Sequence, residues 1–411
     1  MRETLRKIMT LGAFGLLATL GVVVLTATPA AADGDPSTYY VSVSGNDGSD
    51  GQSQATAFRT ITHAMNRAQP GQTIYVMNGT YNEHVFITTS GTSNAYIRLT
   101  AAPGHSPVIE RNTGNAVQVR GSYIEVSGFE VRGVGYSASN NSGYGMLADK
   151  THHVSFQNNI VHGFATSGIS TYQASHVSIA YNTVYENSLW GPEQGSGISI
   201  FQPVNMGFGD DGFSFSNYIV GNTVYANENR IPASYGNGTE VTDGNGIIVD
   251  STKATGYTGR TFIANNTAFN NGGRGINVFN SEHVWVLQNT TYKNTWSSAL
   301  RGTRSEIAAW DSNDVLLANN IVEPIAGSRG VAVSGNVTVG GNFVVGNPDS
   351  VAPNDVYSPT AGFVRGSTDP ALIDFRLAQG SPAIGQGWPY APGLHRPDPG
   401  AFPVGSPKSW S

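Results

Sequence analysis

Five charged side chains lie between residues 243 and 274, in a chain where Asp, Glu, Lys and Arg make up only 12% of residues. They are Asp243, Asp250, Lys253, Arg260 and Arg274. Neighbouring carboxylates can act as acid and as base or nucleophile on a glycosidic bond. Nearby cations can neutralise an anionic substrate and stabilise developing charge. We therefore take this stretch as the candidate centre of chemistry.

Three functions are compatible with such a centre. A lyase would need Asp243 and Asp250 holding calcium, or Arg274 itself, to neutralise a uronate carboxylate. Its base would be Lys253 or Arg274. A hydrolase would instead use two carboxylates from the set Glu193, Asp243, Asp250 and Glu306. A non-catalytic carbohydrate-binding or cell-surface protein would use the same surface without chemistry.

The composition indicates a β-rich protein with many tight turns. Of 411 residues, 51 are Gly and 35 are Asn, while hydrophobic residues make up 39%. This composition excludes a helical bundle and collagen, and it argues against disorder. The formal net charge of −6 argues against a nucleic-acid binder. The absence of Cys excludes disulfides and thiolate metal sites.

Residues 1–32 have the composition of a secretory signal peptide. Arg2, Arg6 and Lys7 precede an apolar run from Leu11 to Leu25, and small residues follow up to Ala32. We expect cleavage after Ala32 and a secreted, extracellular protein.

A repeated unit organises the rest of the chain: a Gly, alternating apolar residues, a second short strand and an Asn. The units begin at Gly145, Gly168, Gly197, Gly246 and Gly275, and their Asn positions are Asn158-Asn159, Asn182, Asn222, Asn265-Asn266 and Asn289. Such periods fit single turns of a solenoid. Stacked Asn side chains can hydrogen-bond from coil to coil. The sequence therefore predicts an all-β protein, a right-handed parallel β-helix.

The predicted boundaries follow from this repeat. Residues 33–105 form an N-terminal cap, with helical spacing over 57–65, and the first coils. Residues 106–345 form the β-helix, with an insertion at about 203–243 where we expect function. Residues 346–411 form a C-terminal capping segment. His153, His176 and His283 recur before the second strand and predict turn structure.

Aligning the units at their Gly predicts one outward column four residues later. It contains Asp149, Tyr172, Phe201, Asp250, Phe279 and Trp310, with Glu306 in the place of Gly in the last unit. Aromatic side chains one coil apart can carry a sugar chain by stacking. We predict that Tyr172, Phe201, Phe279 and Trp310 bind substrate, together with Glu193.

Both ends of the chain resemble secreted bacterial β-helix proteins of the pectate-lyase-like superfamily. The opening motifs are Tyr39-Tyr40-Val41-Ser42, Gly45-Asn46-Asp47-Gly48 and Gly71-Gln72-Thr73-Ile74, and the closing ones include Asp374-Phe375-Arg376-Leu377 and Gly380-Ser381-Pro382. Family-nine polysaccharide lyases are the most similar group. The resemblance implies calcium held by aspartates and a strand lysine as base. The matching lysine position here is Ile248, and Asp210-Asp211-Gly212-Phe213 is similar to the aspartate cluster but lies in the insertion.

From these observations we expect a polysaccharide lyase that cleaves a uronate-containing glycan by β-elimination. Asp243, Asp250, Lys253 and Arg274 are its predicted catalytic residues. Asp243 and Asp250 are also its predicted calcium ligands, although they flank one strand. We expect a monomer that acts on an extracellular polysaccharide, with no nucleic-acid partner and no membrane attachment after signal cleavage.

Overall fold

The computed structural model describes residues 37–234, 238, 240–300, 302–346, 352, 354–389, 396–402 and 406. The predicted signal peptide, residues 1–32, lies outside this described part. Within it the chain forms a right-handed parallel β-helix, in which successive coils add strands to three rows. Among the described residues, no helix has the length and apolar content needed to cross a bilayer.

We call the three rows A, B and C. Row A contains Val85–Ile87, Val117–Val119, Met146–Asp149, Ile169–Tyr172, Ile198–Phe201, Ile247–Asp250 and Ile276–Phe279. Row B contains Thr38–Val41, Thr73–Val76, Ile97–Ala101, Ile124–Ser127, His152–Gln157, Ser175–Ala180, Phe215–Val220, Arg260–Ala264 and Glu282–Leu287. Row C contains Thr80–Tyr81, Val108–Arg111, Glu130–Gly133, Ile160–His162, Thr183–Tyr185, Thr223–Tyr225, Thr267–Phe269, Thr290–Tyr292, Ile321–Glu323, Phe343–Val345 and Val356–Ser358.

Two long strands, Ser305–Ala318 and Arg329–Gly340, run through rows A and B and join them into one 18-stranded sheet. Row C is a separate 11-stranded sheet. The other elements are an α-helix at Ile61–Arg67, a 3-10 turn at Lys253–Thr255 and an antiparallel pair, Phe363–Arg365 with Asp374–Leu377.

The strand register confirms the predicted repeat. Each repeat Gly precedes a row A strand, and Ile247 pairs with Ile198 on one side and Ile276 on the other. These isoleucines are fully buried in the central core. A Cβ on Gly275 would lie 2.8 Å from the side chains of Asn294 and Thr291. Gly is therefore used where the coil turns into row A because the interior has no room for a side chain.

Two ladders of Asn side chains run along the interior; the sequence predicted the first of them, and the second was missed. In each step the backbone N–H and Nδ2–H of one Asn donate to Oδ1 of the next, as Asn222 does to Asn266 at 2.9 Å. The first ladder contains Asn159, Asn182, Asn222, Asn266, Asn289, Asn320 and Asn342, and ends on Asp355. The second contains Asn187, Asn227, Asn271 and Asn294, and ends on Glu306.

The predicted cap and insertion differ from the structure in detail. The helix begins at Ile61, after the N-cap Thr60, rather than at Ala57. The insertion expected at 203–243 is two insertions, because strands Phe215–Val220 and Thr223–Tyr225 lie inside that range. The described part of the C-terminal segment extends row C with Val356–Ser358 and packs Phe375 and Phe402 against Phe269 of row C. It therefore covers a side of the solenoid as well as extending its end.

The carboxyl that ends the second ladder makes stability depend on pH. Burial raises the pKa of Glu306 from 4.5 to about 8. Glu306 contributes fully to the free energy of unfolding below about pH 4.5, where it is protonated. This contribution is lost as the pH rises through about 8, and it amounts to at most a few kcal/mol. In Glu306→Gln the Tm should therefore fall less between pH 5 and pH 9 than in the parent protein. Scanning calorimetry at each pH measures the Tm, and Glu240→Gln, at an exposed position, is the matched control. If the Tm of Glu306→Gln and that of the parent protein change with pH in parallel, the prediction is wrong.

Candidate functional site

Row A brings the predicted column into register. Successive Cα atoms pair along Asp149, Tyr172, Phe201, Asp250, Phe279 and Trp310. We call this the first column. Two residues earlier on each strand, a second outward column contains Leu147, Ser170, Ser199, Ile248, Asn277 and Ala308. Both columns point away from the core of the solenoid, but every residue of the second column is buried, at 0–9% exposed.

The aromatic residues of the first column are not equivalent. The rings of Tyr172 and Phe201 stack at 5.9 Å, and the Lys150 ammonium lies 5.8 Å from the Tyr172 ring centre. Part of these ring faces is therefore used within the protein. Phe279 is 42% exposed, so it offers more surface to a sugar. Asp149 is buried and receives hydrogen bonds from Arg120 and Gln118, which makes it a structural residue.

Asp243 is held by a buried amide at the edge of row A. Its Oδ1 accepts a 2.8 Å hydrogen bond from Nδ2 of Asn245. Asn245 also accepts the backbone N–H of Arg274 at 2.9 Å and donates to Ser196. This contact fixes the carboxyl between two coils. The loop before Asp243 is anchored in turn, because Val241 forms a bridge with Leu300.

Burial, and to a smaller extent the negative charge of Asp250, raise the pKa of Asp243 to about 7. The hydrogen bond from Asn245 and the charge of Arg274 act in the opposite direction. Asp250 accepts a 2.7 Å hydrogen bond from Ser251, although burial raises its pKa as well. The two carboxyls flank one strand, as the sequence indicated, yet they interact electrostatically. Asp250 is the one that ionises first.

Arg274 is the cation of this group. It is 7% exposed, and its Nη2 donates to the backbone oxygen of Thr303 at 3.0 Å. Burial lowers its pKa and the charge of Asp243 opposes that effect. The structure thus brings Asp243, Asp250 and Arg274 together.

The other two cations of the predicted cluster have different partners. Lys253 Nζ donates to the backbone oxygen of Asp311 at 2.9 Å. Arg260 lies in row B, where its Nη2 donates to Asp314 and to the Gly212 backbone oxygen, each at 2.7 Å. The grouping of all five charges was therefore wrong for Arg260. The role of Lys253 as a base remains a prediction without a contact to Asp243.

The role of Asp243 and Asp250 as calcium ligands remains a prediction. Calcium takes six to eight oxygen ligands, and each of these two carboxyls also accepts a hydrogen bond. In the part of the chain that the structure describes, no three His, Asp or Glu side chains form a metal-binding group. Asp210 and Asp211 accept hydrogen bonds within the insertion itself. We therefore derive no step through a metal.

The two glutamates considered for hydrolysis lie in contrasting places. Glu306 is completely buried and accepts two hydrogen bonds from Asn294, so substrate cannot reach it and its catalytic use was wrong. Glu193 is exposed on the loop before row A strand Ile198–Phe201. Burial, and to a smaller extent the charge of Glu193, raise the pKa of Tyr144 to about 12. Glu193 therefore lies near Tyr144, at the edge of the first coils.

The first insertion, residues 203–214, packs on a histidine stack. The rings of His153 and His176 are parallel and 4.7 Å apart, and both residues have left-handed backbone conformations with φ of 55° and 54°. His153, His176 and His283 lie within row B strands rather than in turns before them, so the prediction of turn structure was wrong in that respect, although φ is positive at each. Phe208 packs edge-on against both rings, and His176 Nε2 lies 3.3 Å from Asp210 Oδ1. His152 and Tyr123 complete the surroundings.

We expect acid to loosen this insertion. Burial, then the neighbouring His176 and His152, lower the pKa of His153 to about 4. The stabilisation from the neutral stack is complete above about pH 6.5 and is lost as the pH falls through about 4. Hydrogen–deuterium exchange of residues 203–214, corrected for the intrinsic effect of pH, should increase on acidification. His153→Asn tolerates the left-handed backbone without titrating, so an equal acid response in that variant would contradict the explanation.

The coil geometry defines a parallel β-helix protein with a polar group on one outer sheet. Residues 39–309 match the family described as Pel9A-like, right handed beta helix region, and the chain belongs to this family. The structure of pectate lyase Pel9A is similar, with a TM-score of 0.53, 19% identity and coverage of 89% of this chain and 96% of that one. The complex of XylC with xylose has a TM-score of 0.55, 14% identity and coverage of 78% and 70%. At these identities both structures support the fold alone.

A curated relative is the uncharacterized protein YwoF of Bacillus subtilis (strain 168). It is 26% identical over 149 residues, which make up 34% of this chain and 32% of YwoF. The chain thus spans about a third of the length of the curated relative that it matches.

Sequence reasoning missed Asn245 and Asn277. Asn245 lies between Gly244 and Gly246, a context typical of turns, but its buried amide donates a hydrogen bond to Asp243. Asn277 pairs in register with Ile248, so the same counting that located Ile248 reaches it one coil later. It is 4% exposed on the outer side of row A.

Proposed function

We propose that the protein is a secreted enzyme that cleaves a glycosidic bond in an extracellular polysaccharide, with Asp243, Asp250 and Arg274 at its centre. The observation that carries this proposal is the pair of interacting carboxyls beside an aromatic column on row A. Membership of the Pel9A-like family supports a carbohydrate substrate, since one similar structure is a pectate lyase and another holds xylose. The signal expected at residues 1–32 supports an extracellular substrate.

The chemistry that this pair supports best is hydrolysis. Two carboxyls whose pKa values are driven apart take different roles, one as acid and one as base or nucleophile. Asp243, with its pKa raised to about 7, donates a proton to the leaving oxygen as the glycosidic C–O bond breaks. Ionised Asp250 either activates the water that attacks the anomeric carbon or attacks that carbon first. Water supplies the hydroxyl of one product and restores the proton of Asp243.

The surrounding residues support these roles. Asn245 donates to Asp243 Oδ1 and holds the carboxyl in place during proton transfer. Arg274 stabilises the carboxylate that remains after Asp243 has given up its proton. Phe279, the most exposed aromatic residue of the first column, is placed to stack on a neighbouring sugar unit.

β-Elimination is the second candidate, and the buried Arg274 cation favours it. Arg274 would neutralise a uronate carboxylate, and ionised Asp243 would remove the α proton as the bond to the leaving oxygen breaks. The strand lysine that the family resemblance implies is absent, because its position holds Ile248, which is 5% exposed. This mechanism therefore requires a base other than the one expected from the resemblance.

Activity on a polysaccharide panel tests the proposal. Asp243→Asn and Asp250→Asn should each lower kcat/KM by about 100-fold or more, since each removes a proton-transfer group or nucleophile. New reducing ends without the ultraviolet band of an unsaturated uronate would indicate hydrolysis, and that band would indicate elimination. Asp311→Asn is the matched control, because Asp311 is exposed and its left-handed backbone suits Asn. Activity should persist with a chelator, whereas loss reversed by calcium would restore the metal to the mechanism.

If no glycan yields either new reducing ends or an unsaturated uronate, the enzymatic proposal is wrong, and a non-catalytic binding protein is the remaining candidate. Full activity of Asp243→Asn or Asp250→Asn would remove this centre from the mechanism.

The pH profile separates the two reactions independently. Hydrolysis needs protonated Asp243, so kcat/KM should fall as the pH rises through about 7. Elimination needs ionised Asp243, so kcat/KM should rise over the same range. The charge of Arg274 lowers the pKa of Asp243, and Arg274→Gln should therefore move this transition to higher pH. An unmoved transition would show that Asp243 does not govern the profile.

A further inference from the structure

The last strand of rows A and B, Arg329–Gly340, is paired on one side only. Its inner edge pairs in parallel with Ser305–Ala318, and no described strand pairs with its outer edge. An edge strand presents a row of unpaired N–H and C=O groups to any further strand. Row C continues for one more strand, Val356–Ser358. The solenoid therefore ends in a step that leaves rows A and B open.

The apolar core is open at the same end. Four valines of the last strand continue columns of core residues, namely Val331, Val333, Val337 and Val339. The residues that they pair with on the preceding coil are 0–2% exposed, namely Ile307, Ala309, Val315 and Leu317. Val333, in contrast, is 40% exposed, and the other three valines are half-buried. The interior therefore reaches the surface here.

The chain itself closes the opposite end of the solenoid. The first strand of row B, Thr38–Val41, also has an outer edge. There Tyr40 donates its backbone N–H to Gly51 at 2.8 Å and accepts the backbone N–H of Phe58 at 2.9 Å. One terminal edge is thus satisfied within the chain, whereas the edge at Arg329–Gly340 remains available to a partner.

The open edge lacks the features by which sheets usually prevent pairing. Natural edge strands are short, or they carry Lys, inward-pointing charges or Pro. Arg329–Gly340 is 12 residues long. Arg329 is its only charged residue, and its sequence contains no Pro. A long, apolar edge without these features favours the addition of another extended strand.

The sequence of this edge is symmetric about Gly335. Val331 and Val333 precede Gly335 by four and two residues, and Val337 and Val339 follow it by two and four. Gly335, with φ of 97°, lies at the corner where the strand passes from row A to row B. Antiparallel pairing with an identical strand about this corner therefore places each of the four valines opposite a valine. The partner that fits the edge best is a second copy of the chain.

We propose that the protein forms a homodimer in which the Arg329–Gly340 edges of two copies pair in antiparallel orientation across a two-fold axis at Gly335. Such an interface is isologous, so the assembly closes at two copies. The two Arg329 side chains lie at opposite ends of the interface, roughly 30 Å apart or more, and their repulsion is screened. The monomer expected from the sequence is then one half of the assembly.

The size of the edge sets the strength of this interface. A 12-residue strand is about 40 Å long, and with a depth of about 10 Å its edge buries about 400 Å² on each copy. The total of about 800 Å² is below the 1,200 Å² or so of stable complexes, so the dimer is weak. Because Val356–Ser358 extends row C beyond this edge, the two solenoids meet at an angle that opens on the row C side.

Analytical ultracentrifugation of the full secreted chain tests the dimer. The expected result is a monomer–dimer equilibrium with a Kd on the order of micromolar. Val333→Lys places a charge in the apolar centre of the interface and should raise this Kd by about 10-fold or more. Val364→Lys is the matched control, because Val364 is an exposed strand valine of the C-terminal segment. It should leave the Kd unchanged, and both variants should keep a Tm close to that of the parent protein.

Introduced cysteines test the register without a charge in the interface, and the chain has no Cys of its own. The proposed pairing places Val333 of one copy opposite Val337 of the other, at about 5 Å between Cα atoms, which a disulfide can span. Two copies of the same residue lie about 13 Å apart across the axis. A mixture of Val333→Cys and Val337→Cys should therefore form a disulfide-linked dimer on oxidation, and neither variant should do so alone. Non-reducing electrophoresis measures the linked product.

Four results would overturn the proposal. A monomer at every concentration would mean that the edge stays unpaired or is covered within one chain. A dimer whose Kd is the same in Val333→Lys would have its interface elsewhere. A linked dimer of either cysteine variant alone, or none from the mixture, would exclude the register about Gly335. Open-ended oligomers in place of a dimer would exclude the two-fold axis.

Discussion

The coil-to-coil hydrogen bond of an Asn side chain is the interaction on which the rest of this structure depends. At each step one Oδ1 accepts two donors from the preceding coil, as between Asn182 and Asn222. A parallel strand that slips by one residue exposes its apolar face. The ladders oppose such slips because only one register satisfies both donors. The outward columns of row A, and thus the candidate site, inherit their alignment from these buried contacts.

The parts of the fold that repeat could be predicted from the sequence, because equivalent positions of successive repeats pair with each other in neighbouring strands. Counting from Gly placed Asp149, Tyr172 and Phe201 in one column, and the strands agree. The loops between the strands obey no such period. The insertion 203–214 lies over row B, where Gly212 meets Arg260, because Phe208 packs on His153 and His176. Sequence spacing contains no information on that choice of face.

In the candidate site, too, the residues on the repeating strands could be predicted and the positions set by loops could not. Spacing along one strand indicated that Asp243 and Asp250 would be well separated, but the loop anchored by Val241 and Leu300 holds Asp243 where it senses the charge of Asp250. Arg260 was grouped with them by proximity in sequence, and Asp314 from a later coil pairs with it instead. Pairings between distant coils decide which charges meet. They depend on side-chain reach and on burial, neither of which a linear count provides.

Each ladder ends on a residue of a different kind from those that build it. Asp355 and Glu306 accept the last pair of donors, and neither carries an amide to pass the pattern onward. A coil with an Asn at the ladder position thus continues the ladder, whereas a coil with a carboxyl at that position ends it. A whole coil bearing an Asn at the ladder position could be duplicated or removed upstream of these carboxyls without changing the chemistry of any junction. The length of the solenoid is therefore a property that can change by one coil at a time.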